Sequence, residues 1–468
     1  MRILKFGGSS VGDAKRIASI VEILTPYFKG KENFAVVFSA MKGVTDTLLK
    51  LSQLAIEPKS DYEKVIKSLE QLHFSTAEQL VKGEHLEEIK KELQVLFDDL
   101  EDVVRGIHLI KECTPRTRDF IMSFGERLSN SIIANTLRFH GFKADFCDSR
   151  KLVITDDHFG SAKVNFIETN KRIRAHFKQA KSVQVVTGYI GSTSGNETTT
   201  LGRGGSDYTA SILGAALNAS EIEIWTDVNG ILTADPNKVA DAFSLKAVTY
   251  EEATELSHFG AKVIHPPTML PAEQKNIKIR IKNTFNPQFQ GTVIIEREPM
   301  VRFNLKGISS VDSISFLRIE GSAMITVEGI SARIFTALST SSIRPLLITQ
   351  GSSGHNICIA VAPENRENAV KAIKKEFKSE MLEGIIQPID VKDNLSVIAV
   401  VGEDMQDTPG VAGKVFAALG NAKVNVHAIV MGSSQLNISM VVKKKELIKA
   451  LAALHKELFT NKQRKLNT

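Results

Sequence analysis

The sequence predicts an α/β chain in which a mostly parallel sheet is followed by two ferredoxin-like βαββα units. Three observations carry that expectation. Short strand-like runs (Met1 to Phe6, Gln184 to Thr187, Ile222 to Thr226, and the continuously apolar Phe34 to Phe38) alternate with helical stretches. Runs of this kind are strands buried on both faces, and strands alternating with helices build parallel sheets. Each run feeds a polar, glycine-containing loop, and such loops at strand carboxyl ends are where α/β proteins place ligands. The last third contains an internal repeat. Gly329-Ile330-Ser331-Ala332-Arg333-Ile334-Phe335 aligns with Gly410-Val411-Ala412-Gly413-Lys414-Val415-Phe416, and Gly351-Ser352-Ser353 with Gly432-Ser433-Ser434. The offset is the same both times, 410 − 329 = 81 and 432 − 351 = 81. Asn356-Ile357 and Asn437-Ile438 keep it. Each copy reads strand, glycine turn, helix, strand, turn, strand, helix.

Taken in order, Asp13 to Phe28 has helical periodicity. Between residues 57 and 112, Leu86, Ile89, Leu93, Leu96, Leu100, Val103 and Ile107 step by three and four. That stripe marks a long amphipathic helix in a helical excursion from the sheet domain. Asp119 to Phe139 is read as another helix. The turn-rich segment Asn286 to Thr292 closes the first domain soon after. The expected domains are therefore 1–297, 298–390 and 391–468.

Composition narrows the function classes. The 468 residues exceed one core, and a formal net charge of +6 without a long basic block gives no footprint for nucleic acid. Cys113, Cys147 and Cys358 lie far apart, which suits buried thiols in a reducing compartment. No apolar run approaches a membrane span. A strand and a glycine loop begin at once at the N-terminus, so the expected address is the cytoplasm.

Six motifs carry candidate chemistry. In Lys5-Phe6-Gly7-Gly8-Ser9-Ser10-Val11-Gly12 a strand leads through glycines and hydroxyls into a helix. Backbone N–H groups there can turn toward an anion, with Lys5 supplying a full charge. It is neither a Walker A loop nor GxGxxG. A tight strand-to-helix turn explains it equally well. Ser39-Ala40-Met41-Lys42-Gly43-Val44-Thr45-Asp46 ends the second strand; alone it reads as a loop capped by Thr45 or Asp46. Ser123-Phe124-Gly125-Glu126-Arg127 places a glycine inside a helix, costing about 1 kcal/mol against alanine unless something approaches closely. Its Glu126 can receive an ammonium group or simply face solvent. Thr198 to Tyr208 contains Leu201-Gly202-Arg203-Gly204-Gly205-Ser206-Asp207, the most telling stretch. Its amides can cradle phosphates, Arg203 can grip a carboxylate bidentately, and Asp207 can orient a metal or an amine. The bland alternative, Ser206 or Asp207 capping a helix, leaves the glycine density unexplained. Trp225-Thr226-Asp227-Val228-Asn229-Gly230 ends a strand with an acid suited to a ribose or base. Phe259-Gly260-Ala261-Lys262-Val263-Ile264-His265-Pro266 offers Lys262 as a second phosphate clamp, or as a plain helix-end lysine, and a structural His265.

Together and in this order, these motifs resemble the aspartate kinases of the amino acid kinase family, over essentially the whole chain, with the repeats resembling paired ACT domains. The resemblance implies a three-layer αβα sandwich around an eight-stranded, mostly parallel sheet. It implies MgATP as phosphoryl donor and L-aspartate as acceptor. Lys5, Gly7, Gly8 and Ser9 would bind ATP phosphates. Ser39, Thr45, Glu126, Arg203 and Asp207 would line the aspartate pocket. Thr226, Asp227 and Lys262 would complete the nucleotide site, with Lys5, Asp207 and Lys262 at the chemistry. The ACT pair implies a homodimer and feedback by an amino acid, with Gln350, Asn356 and Asn437 as candidate regulatory positions. Gln350-Gly351-Ser352-Ser353 resembles the threonine-responsive type more than the lysine-responsive type, although Met431 stands where a second glutamine often occurs. Leu232 and Asn237 depart from the family pattern near the nucleotide, and Glu328-Gly329 lacks the proline of Thr408-Pro409-Gly410. Two alternatives stand beside this reading: the kinase portion of a bifunctional aspartate kinase–homoserine dehydrogenase, and a non-catalytic amino-acid sensor.

Overall fold

The computed structural model describes residues 1–260, 264–297, 305–321, 329–351, 355–403, 405, 408–431 and 436–459. They divide into two compact units. The first is Met1–Ile231, Lys246–Tyr250 and Val263–Glu298; the second is Leu232–Leu245, Glu251–Lys262 and Pro299–Thr468.

The first unit contains β1 (Arg2–Phe6), α1 (Ala14–Lys29), β2 (Phe34–Phe38), α2 (Val44–Leu54), α3 (Tyr62–Leu80), α4 (Glu84–Ile110), α5 (Pro115–Phe139), β3 (Ala144–Cys147), β4 (Ile154–Thr155), α6 (Phe166–Gln179), β5 (Val183–Thr187), β6 (Ile190–Thr193), β7 (Thr198–Thr200), α7 (Gly205–Leu217), β8 (Glu221–Thr226) and β9 (Ala247–Thr249). After α8 (Tyr250–His258), most of which belongs to the second unit, it resumes with α9 (Leu270–Glu273), β10 (Lys278–Asn283) and β11 (Thr292–Ile295).

Eight strands form one sheet in the order β3-β5-β2-β1-β8-β10-β11-β9, parallel except where β10 meets β11. The expected parallel sheet is borne out. β2 is buried at all five positions, as a central strand covered on both faces must be. Helix α7 covers the face that carries Lys5, while α1 and α5 cover the face that carries Phe6 and Trp225. Register fixes the working edge. Phe6 pairs with both Phe38 and Trp225, so β1, β2 and β8 end level and their loops open side by side. The rings of Phe38, Phe6 and Trp225 stack beneath that edge, with centroids 5.4 and 5.5 Å apart.

The excursion is a hairpin of α3 and α4, and α4 is the long amphipathic helix expected from the stripe Leu86 to Ile107. α3 and α4 break at Val81 to Gly83, where Gly83 takes φ 65°. The sequence stripe continues on α4, which buries Ile89, Leu93, Phe97, Leu100, Val104 and Ile107.

In the second unit the repeats fold as β12 (Leu305–Glu320), α10 (Ile330–Thr340), β13 (Leu347–Gln350), β14 (Asn356–Val361), α11 (Arg366–Glu376) and α12 (Lys378–Leu382), then β15 (Asp390–Gly402), α13 (Val411–Asn421), β16 (Ala428–Met431), β17 (Asn437–Lys443) and α14 (Leu447–Leu458). Both copies keep the βαββ order expected of them. Their strands merge into one six-stranded sheet, β13-β14-β12-β15-β17-β16, because the long first strands β12 and β15 pair antiparallel.

Candidate active site

Lys5, next to last on β1, points toward α7, where its Nζ lies 2.5 Å from Asp207 Oδ1. Asp207 stands in the first turn of α7, whose N-cap is Gly204 at φ 73°, with no side-chain cap. Neither Ser206 nor Asp207 caps this helix, and Asp207 is spent on Lys5 instead. Likewise α2 starts on Gly43 at φ 82°, leaving Thr45 and Asp46 without a capping role.

The loop after β1 folds between β2 and β8. Gly7 N donates to Trp225 O at 3.1 Å, and the N–H groups of Ser10 and Val11 return to Gly7 O. Those of Gly8 and Ser9 find no backbone acceptor among the described residues. A Cβ on Gly8 would sit 3.1 Å from Ala40 O, so the close backbone approach leaves little room for a side chain there. Unspent amides beside a lysine form an anion-binding concavity. Ser10 Oγ adds a 2.7 Å bond to Thr284 Oγ1, tying the loop to the end of β10.

Glu126 faces inward from α5, only 3% exposed. Its Oε1 accepts from Ala40 N at 3.1 Å, while Oε2 has no partner. Burial pushes the carboxyl up to about 8, and the Ala40 bond only partly offsets it. The reading of Glu126 as a solvent-facing carboxylate is therefore overturned. Gly125 has its close approach: a Cβ there would lie 2.8 Å from Ala40 Cβ. Gly125→Val is expected to lower stability by about 1–3 kcal/mol through overpacking, measurable by urea unfolding. Ser39 N bonds Phe6 O at 3.2 Å, and Ser39 O accepts from Ser129 Oγ of α5 at 2.9 Å. The Ser39 loop is thus clamped between β1 and α5.

Two residues that the motifs did not single out join this pocket. Asp119 lies two helical turns before Glu126 on α5, and its carboxylate accepts from Thr200 N (2.8 Å), Thr200 Oγ1 (3.0 Å) and Gly160 N (2.8 Å). Tyr189 follows β5 at φ 69°, and its hydroxyl hydrogen-bonds the Thr200 side chain. Burial raises that phenol to about 12, and Glu126 and Asp119 lie near enough to push it the same way. Heptad spacing from Glu126 could have signalled Asp119; a left-handed tyrosine leaves no sequence signal.

Arg203 is exposed and has no ion pair among the described residues. Gly204 packs tightly, since a Cβ there would lie 3.1 Å from His265 Cβ and 3.0 Å from Thr268 Cγ2. His265 therefore serves as a wall of this loop. Asp227 is exposed at the end of β8 and accepts from Thr226 Oγ1 at 3.2 Å. Lys262 lies outside the described residues, as do Ser352, Ser353, Gly432, Ser433 and Ser434. In the second unit, Asn237 donates its N–H to Asp235 Oδ1 at 2.9 Å, and Leu232 pairs with Ser244. Gln350 ends β13 exposed, Asn356 opens β14 half-buried, and Asn437 opens β17 buried.

A parallel-sheet edge carrying a lysine-backed glycine loop beside a buried carboxylate is the layout of a small-molecule phosphotransferase. The amino acid kinase family model matches residues 1–283 and the ACT domain model matches 317–377 and 398–458, so the chain belongs to the amino acid kinase family, with paired ACT domains. Within it the relatives are aspartokinases. Aspartokinase 2, chloroplastic, of Arabidopsis thaliana is 33% identical over 98% of this chain and 84% of its own. Bifunctional aspartokinase/homoserine dehydrogenase 1 of the same plant is 34% identical over 98% of this chain. The chain spans about half the length of such bifunctional relatives, 51% in that case. The structure of E. coli aspartokinase III in complex with aspartate and ADP matches with TM-score 0.82 at 26% identity, covering 98% of this chain and all of that one. No helix among the described residues is long and apolar enough to cross a membrane.

Proposed function

We propose that this chain is an aspartate kinase, transferring the γ-phosphoryl group of ATP to the β-carboxylate of L-aspartate under feedback from its ACT domains. The observation that carries the reading is the meeting of Lys5 and Asp207, from motifs far apart in sequence, beside unspent loop amides and the buried Glu126.

The nucleophile is the substrate's own carboxylate, ionised at neutral pH because its pKa is about 3.9. One oxygen attacks the γ-phosphorus, the bond to the β-phosphate oxygen breaks, and ADP leaves. No general base is needed; the obstacle is repulsion between two anions. Lys5 and the Gly8 and Ser9 amides neutralise the transferring group, Lys262 assists, and Asp207 holds Lys5 in place. Arg203 grips the α-carboxylate and Glu126 takes the ammonium, which leaves the β-carboxylate facing the phosphate. Ser39 and Thr45 complete the aspartate pocket, and Thr226 and Asp227 the nucleotide's. The described residues hold no group of three or more His, Cys, Asp or Glu fit for a metal. Mg²⁺ would ride on phosphate oxygens and water, as its hydration chemistry favours, and supply charge neutralisation there.

Residues 1–297 act as the catalytic domain, with 298–390 and 391–468 as regulatory domains that pair in a homodimer. Threonine is the favoured effector and lysine the second, bound near Gln350 and Asn356; activity titrated against each decides between them. The cytoplasm is the working address.

Incubation with ATP, aspartate and hydroxylamine tests the activity. Aspartyl hydroxamate should accumulate; ATP turnover without it would remove aspartate as the acceptor. Arg203→Ala should raise the KM for aspartate about 10²-fold, by loss of a bidentate charge pair, with little change in ATP KM. The reverse pattern in steady-state kinetics would mean the two sites are interchanged. The bifunctional relatives favour a second reading, in which this chain corresponds to their kinase half; the native reading frame distinguishes the two.

A further inference from the structure

The loop after β1 carries Gly7, Gly8 and Gly12. A backbone with so many conformations open to it holds one shape only when it is tied down. Two ties come from the neighbouring strands: Gly7 N on Trp225 O, and Ser10 Oγ on Thr284 Oγ1. The third comes from α1. Arg16 Nη1 donates to Ser9 O at 2.7 Å. That carbonyl adjoins the Gly8 and Ser9 amides, which find no backbone acceptor among the described residues.

Arg16 is itself held on further sides. Asp13, the N-cap of α1, accepts the Arg16 backbone N–H on Oδ1 at 2.9 Å and pairs Nε with Oδ2 at 3.1 Å. The guanidinium lies over the ring of Phe285, 5.2 Å from its centroid. A Cβ on Gly12 would stand 3.1 Å from Arg16 Nη1, so Gly12 leaves the space that the guanidinium occupies. Phe285 is placed from the other side of the edge, just past β10. Thr284 N donates to Thr226 O at 2.8 Å, and Phe285 N to Asn283 Oδ1 at 2.9 Å. At 52% exposed, the Phe285 ring adds little to the core; the guanidinium over it is the ring contact found among the described residues. All of these groups belong to the first unit.

We infer that Arg16 is a positioning residue for phosphate binding: backed by Phe285, its guanidinium holds the Ser9 carbonyl and so fixes the unspent Gly8 and Ser9 amides in place. Arginine suits the task because its planar fork donates and stacks at once. The amides then meet an anion without having to be ordered first, which is where preorganised donors gain their advantage. The inference rests on the aspartate kinase reading in one respect, that the glycine loop receives the phosphates of ATP.

A double-mutant cycle read by calorimetry with ADP, and separately with aspartate, tests it. Arg16→Ala should weaken ADP binding about 10-fold, the scale of one charge-assisted hydrogen bond. Phe285→Ala changes no charge and should weaken it about threefold, through the guanidinium it supports. The double variant should be no weaker than Arg16→Ala alone. Arg16→Lys keeps a donor for Ser9 O and should recover ADP affinity to within about threefold of wild type. Aspartate affinity should stay within about twofold throughout. ADP affinity unchanged in Arg16→Ala would overturn the proposal. So would additive losses in the double variant, since Phe285 would then act without Arg16. Equal losses for ADP and aspartate with a lowered melting temperature would reduce Arg16 to a structural residue. Should ADP follow the expected pattern in a protein that forms no aspartyl hydroxamate, the aspartate kinase reading fails while the role of Arg16 stands.

Discussion

Lys5→Met is expected to lower kcat by about 10²–10³-fold, the scale of losing one preorganised donor at a developing charge. The fold should survive. Methionine keeps the length of the stem that β1 buries, and Asp207 is close enough to the edge to regain water, its side chain being 14% exposed. The loss should appear in kcat rather than in aspartate KM if, as proposed, the ammonium meets the transferring phosphoryl group and not the amino acid. Steady-state kinetics with thermal melting as a control make the check. Wild-type turnover in a folded variant would remove Lys5 from the mechanism and leave the loop amides to explain the chemistry alone.

Glu126→Gln is the second large effect, and its sign with pH follows from burial. The folded-state pKa of Glu126, about 8, lies above its ordinary value of 4.5. A group raised in this way contributes stability that is fully present below its unfolded pKa and is lost as pH rises through the folded one. Wild type should therefore weaken between about pH 5 and pH 8, each pKa unit being worth about 1.4 kcal/mol. Glutamine keeps the acceptor for Ala40 N and removes the titration, so the variant should be the more stable protein at pH 8, by up to about 4 kcal/mol. Urea unfolding across that range gives the comparison. Activity should move the other way. Without a carboxylate to meet the substrate ammonium, aspartate KM should rise on the order of 10²-fold. Binding of aspartate should also release a proton near pH 7 in wild type and none in the variant. Calorimetry in two buffers of different ionisation enthalpy measures that directly. No proton release in wild type would mean that the ammonium binds elsewhere.

The sheet and the repeat were legible because they rest on local signals. β2 reads as buried on both faces from Phe34-Ala35-Val36-Val37-Phe38 alone, and the 81-residue offset exposes the two ACT units without any geometry. The glycine density of the Thr198 to Tyr208 stretch was legible as a loop able to cradle phosphates, whereas the packing of Gly204 against His265 and Thr268 was not. What escaped depends on contacts far apart in the chain. Nothing near Asp207 says that its partner is Lys5 rather than a metal. Tyr189 meets Thr200 from a left-handed backbone position, a state that sequence assigns to glycine or asparagine first. The merger of the two repeats into one sheet is set by how β12 and β15 meet. The α3–α4 break is marked by a single Gly83, three residues before the stripe that begins at Leu86. The segments Leu232–Leu245 and Glu251–Lys262 sit between catalytic motifs in sequence yet cluster with the ACT unit, a separation that no linear reading finds.

The central claim is that an oxygen of aspartate's β-carboxylate attacks the γ-phosphorus. Aspartate labelled with ¹⁸O in that carboxylate, incubated with MgATP and trapped with hydroxylamine, measures it. Hydroxylamine attacks the acyl carbon and expels phosphate that retains the bridging oxygen, so the account predicts one ¹⁸O in each phosphate released. Unlabelled phosphate would mean that water, not aspartate, accepts the phosphoryl group.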